Sequence, residues 1–178
     1  MRKLVEITHV SLGGEIDPLE WAFPYLDDDH RAYAAAMLRD ADALLLGRRT
    51  YEGLSAAYSA MPSDPFVDRM NSIPKYVASH TLRETGWNAS IIDTDVVDFV
   101  AGLKNQPGND IVKYGNGPLS AVLMAHGLID EFHLLLTPVA TSKGRRLFED
   151  VEDAPALKLA SMQQFASGVL TLVYTPHT

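Results

Sequence analysis

The chain has 178 residues, a length that suits one domain (residues 1–178) with a sizeable core rather than two small ones. Hydrophobic residues make up 47% and charged residues 21%, and the net charge of −8 argues against a nucleic-acid-binding protein. No apolar run approaches the roughly 20 residues of a transmembrane helix, and the N-terminus lacks the apolar region of a signal peptide. Cysteine is absent, which excludes disulfides and thiolate metal sites. We therefore expect a cytoplasmic protein.

Short apolar runs alternate with helical patterns along most of the chain. The apolar runs predict strands at residues 3–12, 42–47, 73–82, 89–93, 111–114 and 131–140. Helix propensity and capping residues predict helices at residues 28–39, 48–58, 95–105 and 118–126, and residues 13–18 are expected to form a flexible loop. The stretch LKLASMQQFASGVLTLVYTP predicts two strands that turn near Ser167 and Gly168. This order implies an α/β fold with a mixed, mostly parallel central sheet, helices on both faces and antiparallel C-terminal strands.

Two of the predicted strands end in glycine turns that begin helices, in GRRT (residues 47–50) and GNGP (residues 115–118). A glycine lets backbone amides approach a ligand closely, and a helix that starts there points unpaired N–H groups outward. Neither turn matches the dinucleotide fingerprint or a P-loop, and each alone is typical of an ordinary strand-to-helix connection. If both turns lie at one sheet edge, two helix N-termini and two arginines converge on one diphosphate. Two interpretations therefore stay open, a site for a phosphate-bearing ligand and a pair of ordinary connections.

Several segments, taken together, resemble a known family. GRRTYEG resembles the GRxTxE segment of the dihydrofolate reductase superfamily, and KYGNGPL resembles its second glycine turn. More closely, ADALLLGRRTYEGL, DRMNSIPKYVASHTL, DIVKYGNGPLSAVLMAHGLIDEFHLLLTPV and GRRLF are similar in order and spacing to the RibD C-terminal domain family of bacterial reductases. The resemblance covers nearly the whole chain. The sequence lacks the deaminase domain that accompanies this domain in the bifunctional riboflavin enzymes, so we expect a free-standing member.

The resemblance implies a dihydrofolate reductase-like fold and an NADPH-dependent reductase. Its substrate would be a small heterocyclic or ribosylamino-pyrimidine-like compound, as in riboflavin or folate chemistry. The cofactor-binding residues implied by position are Arg48, Arg49, Thr50, Ser79, His80, Tyr114, Gly115, Asn116, Gly117, Pro118 and Leu119. Residues 48–50 would hold phosphates, Ser79 and His80 would lie at the adenosine 2′-phosphate, and residues 115–119 would line the pyrophosphate and the nicotinamide side. Residues 12–16 match the mobile loop that closes over the nicotinamide.

The chain departs from the family pattern at three places. SLGG replaces SLDG in the first loop, and TSKGRRLF replaces a more glycine-rich LGxGxRLF, where Arg145 and Arg146 either face water, as we expect, or meet an anionic substrate. His80 stands where SRTL has arginine, and a largely neutral histidine holds a 2′-phosphate less firmly. NADH therefore stays open beside NADPH. Two further alternatives are a protein that binds the nucleotide cofactor without turnover and a flavin-dependent reductase.

No residue is assigned as a catalytic acid. Asp27, Asp28 and Asp29 stand at the start of the first predicted helix, where we expect them to cap it rather than deliver a proton. The six histidines lack metal-binding spacing, so no metal is expected. His9 either points into the cleft or is an ordinary hydrogen-bonded strand residue. Trp21 either packs at the core margin, the expected arrangement, or caps the substrate slot.

The apolar segment GVLTLVY (residues 168–174) predicts a homodimer built partly from the C-terminal strands. A terminal strand is often at a sheet edge, and an exposed apolar edge promotes association unless it is paired or covered. RibD-type reductase domains are commonly dimers, so the resemblance implies the same. The alternative is a central strand covered by the domain's own helices. If the protein is a dimer, Thr171→Arg or Leu172→Arg should give monomers or insoluble protein, whereas a change at Lys104, expected to be exposed, should leave the assembly intact.

Overall fold

The computed structural model describes residues 1–153 and 155–177. The strands are β1 Leu4–Ser11, β2 Glu15–Asp17, β3 Ala41–Gly47, β4 Lys75–Ala78, β5 Ala89–Ile92, β6 Asp110–Tyr114, β7 Glu131–Thr137, β8 Arg145–Arg146, β9 Leu157–Gln164 and β10 Leu170–Pro176. The helices are α1 Asp28–Arg39, α2 Arg48–Ala60, α3 Pro65–Ser72, α4 Val96–Asn105 and α5 Pro118–Ala125. A short 3₁₀ helix covers Glu20–Tyr25. In the described part of the chain, no helix has the length and apolar character needed to cross a membrane.

One large sheet organises the fold. It has eight strands in the order β5-β4-β3-β6-β1-β7-β10-β9. Neighbouring strands from β5 to β7 are all parallel, and the β9–β10 hairpin adds to β7 in the antiparallel direction. β2 and β8 form a separate two-stranded ribbon. The predicted mixed, mostly parallel sheet with antiparallel C-terminal strands is therefore confirmed.

Helices cover both faces of the sheet because the strand residues alternate between two apolar layers. One layer contains Leu38 of α1, Tyr51 of α2 and Met70 of α3. The other contains Leu103 of α4 and Leu123 of α5. A parallel strand that is buried on both faces reads as a continuous apolar run, which explains ALLL in β3. The expected helices on both faces are confirmed.

The sequence did not predict α3. Asp64 caps this helix, because its Oδ1 accepts hydrogen bonds from the backbone N–H of Phe66 at 2.8 Å and of Val67 at 3.0 Å. Pro65 follows in the first turn, where its missing N–H costs nothing. An aspartate followed by proline was therefore the available signal for the start of this helix.

β4 is shorter than the strand expected at residues 73–82. The strand ends at Ala78 because the Ser79 side chain turns the chain. Ser79 Oγ accepts hydrogen bonds from the backbone N–H of Thr81 at 3.3 Å and of Leu82 at 3.0 Å. A local side-chain bond of this kind replaces a strand partner. The Ser79 turn, residues 79–82, is thus fixed at the carboxyl end of β4.

The loop expected to be flexible at residues 13–18 contains an ordered strand instead. Its β2 pairs with β8, with Glu15 opposite Arg146. The backbone N–H of Leu147 also donates to the Gly14 carbonyl at 2.8 Å. Gly13 is packed so closely that a Cβ there would collide with the Thr141 carbonyl. The loop after β1 is therefore held by the segment that carries GRRLF.

Two expectations about the surface were wrong. The C-terminal strand β10 lies between β7 and β9, so the edge strand is β9. Lys104, expected to be exposed, has a side chain only 4% exposed, and its Nζ pairs with the Asp130 carboxylate and donates to the Leu128 carbonyl. The aliphatic stem of a lysine packs well in an apolar layer when its ammonium finds such oxygens.

Candidate functional site

The two glycine turns lie side by side at the carboxyl edge of the sheet. β3 and β6 are parallel neighbours with Leu45 opposite Lys113, so the turns that follow them emerge at the same edge. A Cβ on Gly115 would lie 3.3 Å from Thr50 Oγ1, which shows that the start of α2 contacts the second turn. The two turns therefore share one sheet edge, as the phosphate-site interpretation of the sequence requires.

The backbone at this edge favours an anion. Gly115 has φ of 76°, in the left-handed region that favours glycine, and this turn aims α5 at the same edge as α2. The first N–H groups of each helix have no carbonyl partner within the helix, and the helix dipole adds positive potential there. Two helix N-termini at one edge thus form a site suited to a diphosphate.

Arg48 and Arg49 diverge from the first turn. Arg48 Nε donates to Glu52 Oε1 at 2.7 Å, and its Nη1 donates to Thr81 Oγ1 at 2.6 Å, so this guanidinium lies beside the Ser79 turn. Arg49 points the other way, with Nη1 3.6 Å from Asp17 Oδ2 and a side chain 79% exposed. The positive charge is therefore spread along the edge, from the end of β4 to the β2 loop.

The Ser79 turn contains neither lysine nor arginine. Ser79 Oγ is occupied by the backbone bonds that form the turn, and the His80 side chain is exposed. The Arg48 guanidinium reaches this turn through Thr81. Arg48 thus supplies positive charge at the place where the family pattern has an arginine and this chain has His80.

Tyr114 contributes to the core rather than to the open edge. Its side chain packs with the apolar layer beneath α1 and α2, and its hydroxyl is buried. Burial raises the pKa of this hydroxyl above its ordinary value. The backbone continues directly into Gly115, whose N–H donates to the Ile7 carbonyl at 2.8 Å. Through this bond β1 fixes the base of the second turn.

Arg145 lies against the second turn instead of in water. Its guanidinium Nη1 is 3.6 Å from the position of a Cβ on Gly117, and its Nε donates to Glu149 Oε1 at 2.6 Å. That bond raises the pKa of Arg145. Arg146, by contrast, is 61% exposed, as expected, and lies 3.7 Å from the buried Glu15 carboxylate. The GRRLF segment therefore forms one wall of the edge.

The acidic start of α1 has a structural role. Asp27 Oδ1 accepts a hydrogen bond from the His30 N–H at 2.9 Å, which confirms the predicted cap. The second oxygen of Asp27 accepts from the Ser167 N–H at 2.9 Å, and Asp29 Oδ2 accepts from the Ala166 N–H at 2.8 Å. These carboxylates therefore hold the turn of the β9–β10 hairpin.

His9 forms a hydrogen-bonded pair with His30. The two Nε2 atoms are 3.2 Å apart, between β1 and α1. Burial, and secondly the charge of His30, lower the pKa of His9 to about 4. The pair is therefore neutral near pH 7, and the ordinary interpretation of His9 as a hydrogen-bonded strand residue is confirmed.

Sequence reasoning missed two charged residues beneath the second turn. Glu6 of β1 is 0% exposed and Lys113 of β6 is 2% exposed, and their charged atoms are 3.0 Å apart. The available signal was a charged residue enclosed by apolar neighbours in each of two strands, Glu6 in LVEITHV and Lys113 in DIVKY. A buried charge requires a partner, but only the register of the strands identifies which one.

Comparisons with known proteins show the family. Residues 8–171 match the RibD C-terminal domain family. The uncharacterized protein YyaP of Bacillus subtilis (strain 168) is 34% identical over 142 residues, which cover 77% of this chain and 75% of YyaP.

Solved structures share the fold. A crystal structure from Shewanella sp. PV-4 has a TM-score of 0.76 at 21% identity, over 99% of both chains. The Thermotoga maritima diaminohydroxyphosphoribosylaminopyrimidine deaminase/5-amino-6-(5-phosphoribosylamino)uracil reductase has a TM-score of 0.68 at 14% identity, over 99% of this chain and 57% of that one. The matched residues, the paired glycine turns and the shared sheet together place the chain in the RibD C-terminal domain family, with a dihydrofolate reductase-like fold.

Proposed function

We propose that the protein is an NADPH-dependent reductase that transfers hydride to a small heterocyclic or ribosylamino-pyrimidine-like substrate. The observation that carries the proposal is the contact between the two glycine turns, which brings the starts of α2 and α5 together at one edge. The nicotinamide would supply the hydride, and the protein would position it and exclude water.

The residues at the edge fit a phosphorylated dinucleotide. In the proposal, residues 115–119 line the pyrophosphate on the nicotinamide side, with the Asn116 and Leu119 N–H groups as donors, because Pro118 has no N–H and the Gly115 and Gly117 N–H groups bond within the protein. Thr50 and Arg49 contact phosphate oxygens. Arg48 meets the adenosine 2′-phosphate beside Ser79 and His80, because its guanidinium already lies at that turn. Charge-assisted bonds of this kind contribute ~1.5–3 kcal/mol each.

The names of structural relatives suggest the substrate class. One is the deaminase/5-amino-6-(5-phosphoribosylamino)uracil reductase from Thermotoga maritima. Another is a pyrimidine reductase-like protein from Corynebacterium diphtheriae with a TM-score of 0.68 at 13% identity. From these names we propose that the present chain reduces an aminopyrimidine substrate and that it does so in the cytoplasm.

Calorimetric titration with NADPH and NADH tests the cofactor. Arg48→Ala and Arg49→Ala should each weaken NADPH binding by about 10–100-fold, in line with the loss of a charge-assisted bond. Arg48→Ala should weaken NADH binding less, since NADH lacks the 2′-phosphate. Arg39→Ala is the matched control, because this arginine of α1 is 72% exposed and, among the residues that the structure describes, pairs only with its neighbour Asp40. Absence of binding of both cofactors by the wild-type protein would overturn the proposal.

A substrate screen tests turnover. Pterins, diaminopyrimidines, ribosylaminopyrimidines and carbonyl compounds are each mixed with NADPH and protein, and the nicotinamide absorbance is followed. Oxidation with an aminopyrimidine supports the proposal. Tight cofactor binding without oxidation of NADPH by any compound would favour a binding protein, and a yellow purified protein would favour a flavin in the same cleft.

A further inference from the structure

A buried polar network lies directly beneath the second glycine turn. Its centre is the Lys113 ammonium, which is 3.0 Å from Glu6 Oε2 and donates to Ser120 Oγ at 2.7 Å. The same ammonium donates to the Gly115 carbonyl at 2.6 Å. Lys113 thus joins β1, the turn and the start of α5 from inside the protein.

The other polar groups of the turn are held by the same network. Asn116 Nδ2 donates to Glu6 Oε1 at 2.7 Å, and its Oδ1 accepts from the Phe148 N–H at 3.0 Å. Gly117 N–H donates to Ser120 Oγ at 3.2 Å. Every side chain in this set is therefore committed to the shape of the turn.

The bond to the Gly115 carbonyl fixes the direction of the next amide. In a planar trans peptide the C=O and the following N–H point in opposite directions. Because the Gly115 carbonyl points inward to Lys113, the Asn116 N–H points outward to the open edge. No acceptor in residues 1–153 and 155–177 receives this N–H. The amide is thus a donor aimed at the place where a phosphate would bind.

Stability alone does not explain the ion pair. A buried charged pair recovers its desolvation cost only with excellent geometry, and apolar residues of similar volume are often as stable. The chain offers a comparison at the amino ends of the strands, where the buried Lys104 ammonium pairs with Asp130, whose side chain is 37% exposed, far from the glycine turns. That pair orders backbone at the amino ends of the strands and touches no residue of the candidate site.

We infer that Glu6 and Lys113 are positioning residues, which hold the second turn in the shape that presents the Asn116 N–H to the cofactor pyrophosphate. The inference rests on the proposed function for its ligand. The buried ion pair would thus orient one backbone donor. Cofactor affinity would then depend on two side chains that do not touch the cofactor.

The test separates stability from position by a double-mutant cycle. Lys113→Met and Glu6→Gln each leave a buried charge without its partner, so each should lower the urea midpoint of unfolding. The double variant carries neither charge, and its midpoint should return toward that of the wild type. The dissociation constant of the double variant for NADPH should nevertheless stay about tenfold larger than that of the wild type, because no ammonium draws the Gly115 carbonyl inward.

Two outcomes of the titration overturn the inference. If the double variant regains both the unfolding midpoint and the NADPH affinity, the pair is merely structural. If the matched control Lys104→Met/Asp130→Asn weakens NADPH binding as much as the double variant does, the effect on affinity is general and not specific to the turn.

Hydrogen exchange in the cofactor-free protein gives an independent measurement. The N–H groups of Gly115, Gly117 and Phe148 should exchange at least about tenfold faster in the double variant, while core amides of β7 stay protected as in the wild type. Unchanged exchange at these three amides overturns the inference whether or not NADPH binds. If the wild type binds neither cofactor but the three amides exchange faster in the double variant than in the wild type, the proposed function fails. The role of the ion pair in shaping the turn then still stands.

Ser120→Ala provides a second route if the double variant does not fold. It removes the acceptor of Gly117 N–H and one partner of Lys113 without leaving a charge unpaired. Faster exchange at Gly117 with weaker NADPH binding supports the inference. Wild-type exchange and affinity in this variant would contradict it.

Discussion

At Gly47 the chain turns from β3 into α2 with φ of −77° and ψ of 162°, values that any residue adopts. Apart from its two chain neighbours, no described residue has an atom within 4 Å of the place where a Cβ would stand. Neither the backbone nor the packing therefore requires glycine here, in contrast to Gly115. A glycine at this position leaves open the space that a Cβ would fill, and a bound phosphate would occupy that space.

Gly47→Ala should weaken NADPH binding about tenfold while the protein stays folded. The free energy of unfolding should fall by about 1 kcal/mol at most, because alanine is a poorer N-cap than glycine. Gly53→Ala is the control, since this exposed glycine inside α2 also has no atom near its Cβ position. That change should stabilise the helix by about 0.5–1 kcal/mol and leave affinity unchanged. Calorimetry and urea unfolding measure both quantities.

His9 should make the protein less stable in mild acid. Its pKa falls from 6.5 to about 4 on folding, so between these pH values the unfolded chain binds the extra proton and stability is lost as pH decreases. The expected loss from this residue is about 2 kcal/mol between pH 7 and pH 5. His30 faces His9 from α1, and its pKa is also lowered by burial, so it adds to the same trend.

Urea unfolding at pH 7 and pH 5 measures this loss. His9→Phe should reduce the difference in stability between the two pH values. His126→Gln, at an exposed position, should keep the wild-type difference. An equal pH dependence in the wild type and in His9→Phe would show that His9 is not the source.

Some site residues were predictable from the sequence and others were not. The glycine turns were, because a strand that ends in glycine before a helix is a local pattern. Glu6 and Lys113 were not, since their pairing depends on the register of β1 against β6, in which Glu6 lies opposite Lys113. The divergence of Arg48 and Arg49 also required the structure, because it depends on Thr81 and Asp17 at distant positions.

At the scale of elements, the start of α1 is both a helix cap and an anchor for the β9–β10 hairpin. Asp27→Ala removes two hydrogen bonds, one to His30 N–H and one to Ser167 N–H. We expect a loss of about 1–2 kcal/mol in the free energy of unfolding, at the upper end for a lost cap. Asp28→Ala, at the exposed next position, should cost about 0.5 kcal/mol or less. Equal losses in urea unfolding would contradict the dual role.

Long periodic elements were predictable because their patterns are local. α3 was missed because it has only 8 residues, with Val67 and Met70 as its buried positions, which is too short a run for the helical period to stand out. The β2–β8 ribbon was missed for a different reason. Glu15 and Arg146 pair across most of the chain, and no local pattern identifies such a partner.

At the scale of the whole molecule, one apolar surface lacks cover within the described chain. On the edge strand β9, Leu159 is 47% exposed and Met162 is 64% exposed. They lie opposite Tyr174 and Leu172 of β10, so a continuous apolar face runs from the core to the edge. We propose that the predicted homodimer forms through this face, with β9 rather than β10 at its edge.

Light scattering at micromolar concentration should give twice the chain mass of 19.5 kDa. Met162→Arg should shift the protein to monomer, because an arginine on this face is costly to bury. Met61→Arg is the control, since Met61 is an exposed methionine at the end of α2. A substitution at Thr171 is less informative, because that side chain is 1% exposed and belongs to the core. A wild-type mass of 19.5 kDa would rule the dimer out.

The central place of β1 has a consequence for how the protein is made. β1 is synthesised before the other strands of the sheet, yet both its neighbours, β6 and β7, follow much later, and Lys3 and its partner Asp110 are 107 residues apart. Until then an apolar strand that carries Glu6 has no place to pair. Sheets whose paired strands are far apart in sequence fold slowly, and their apolar segments stay exposed to aggregation until they pair. The nascent chain should therefore depend on chaperones, and the cleft should assemble only after most of the chain has been released.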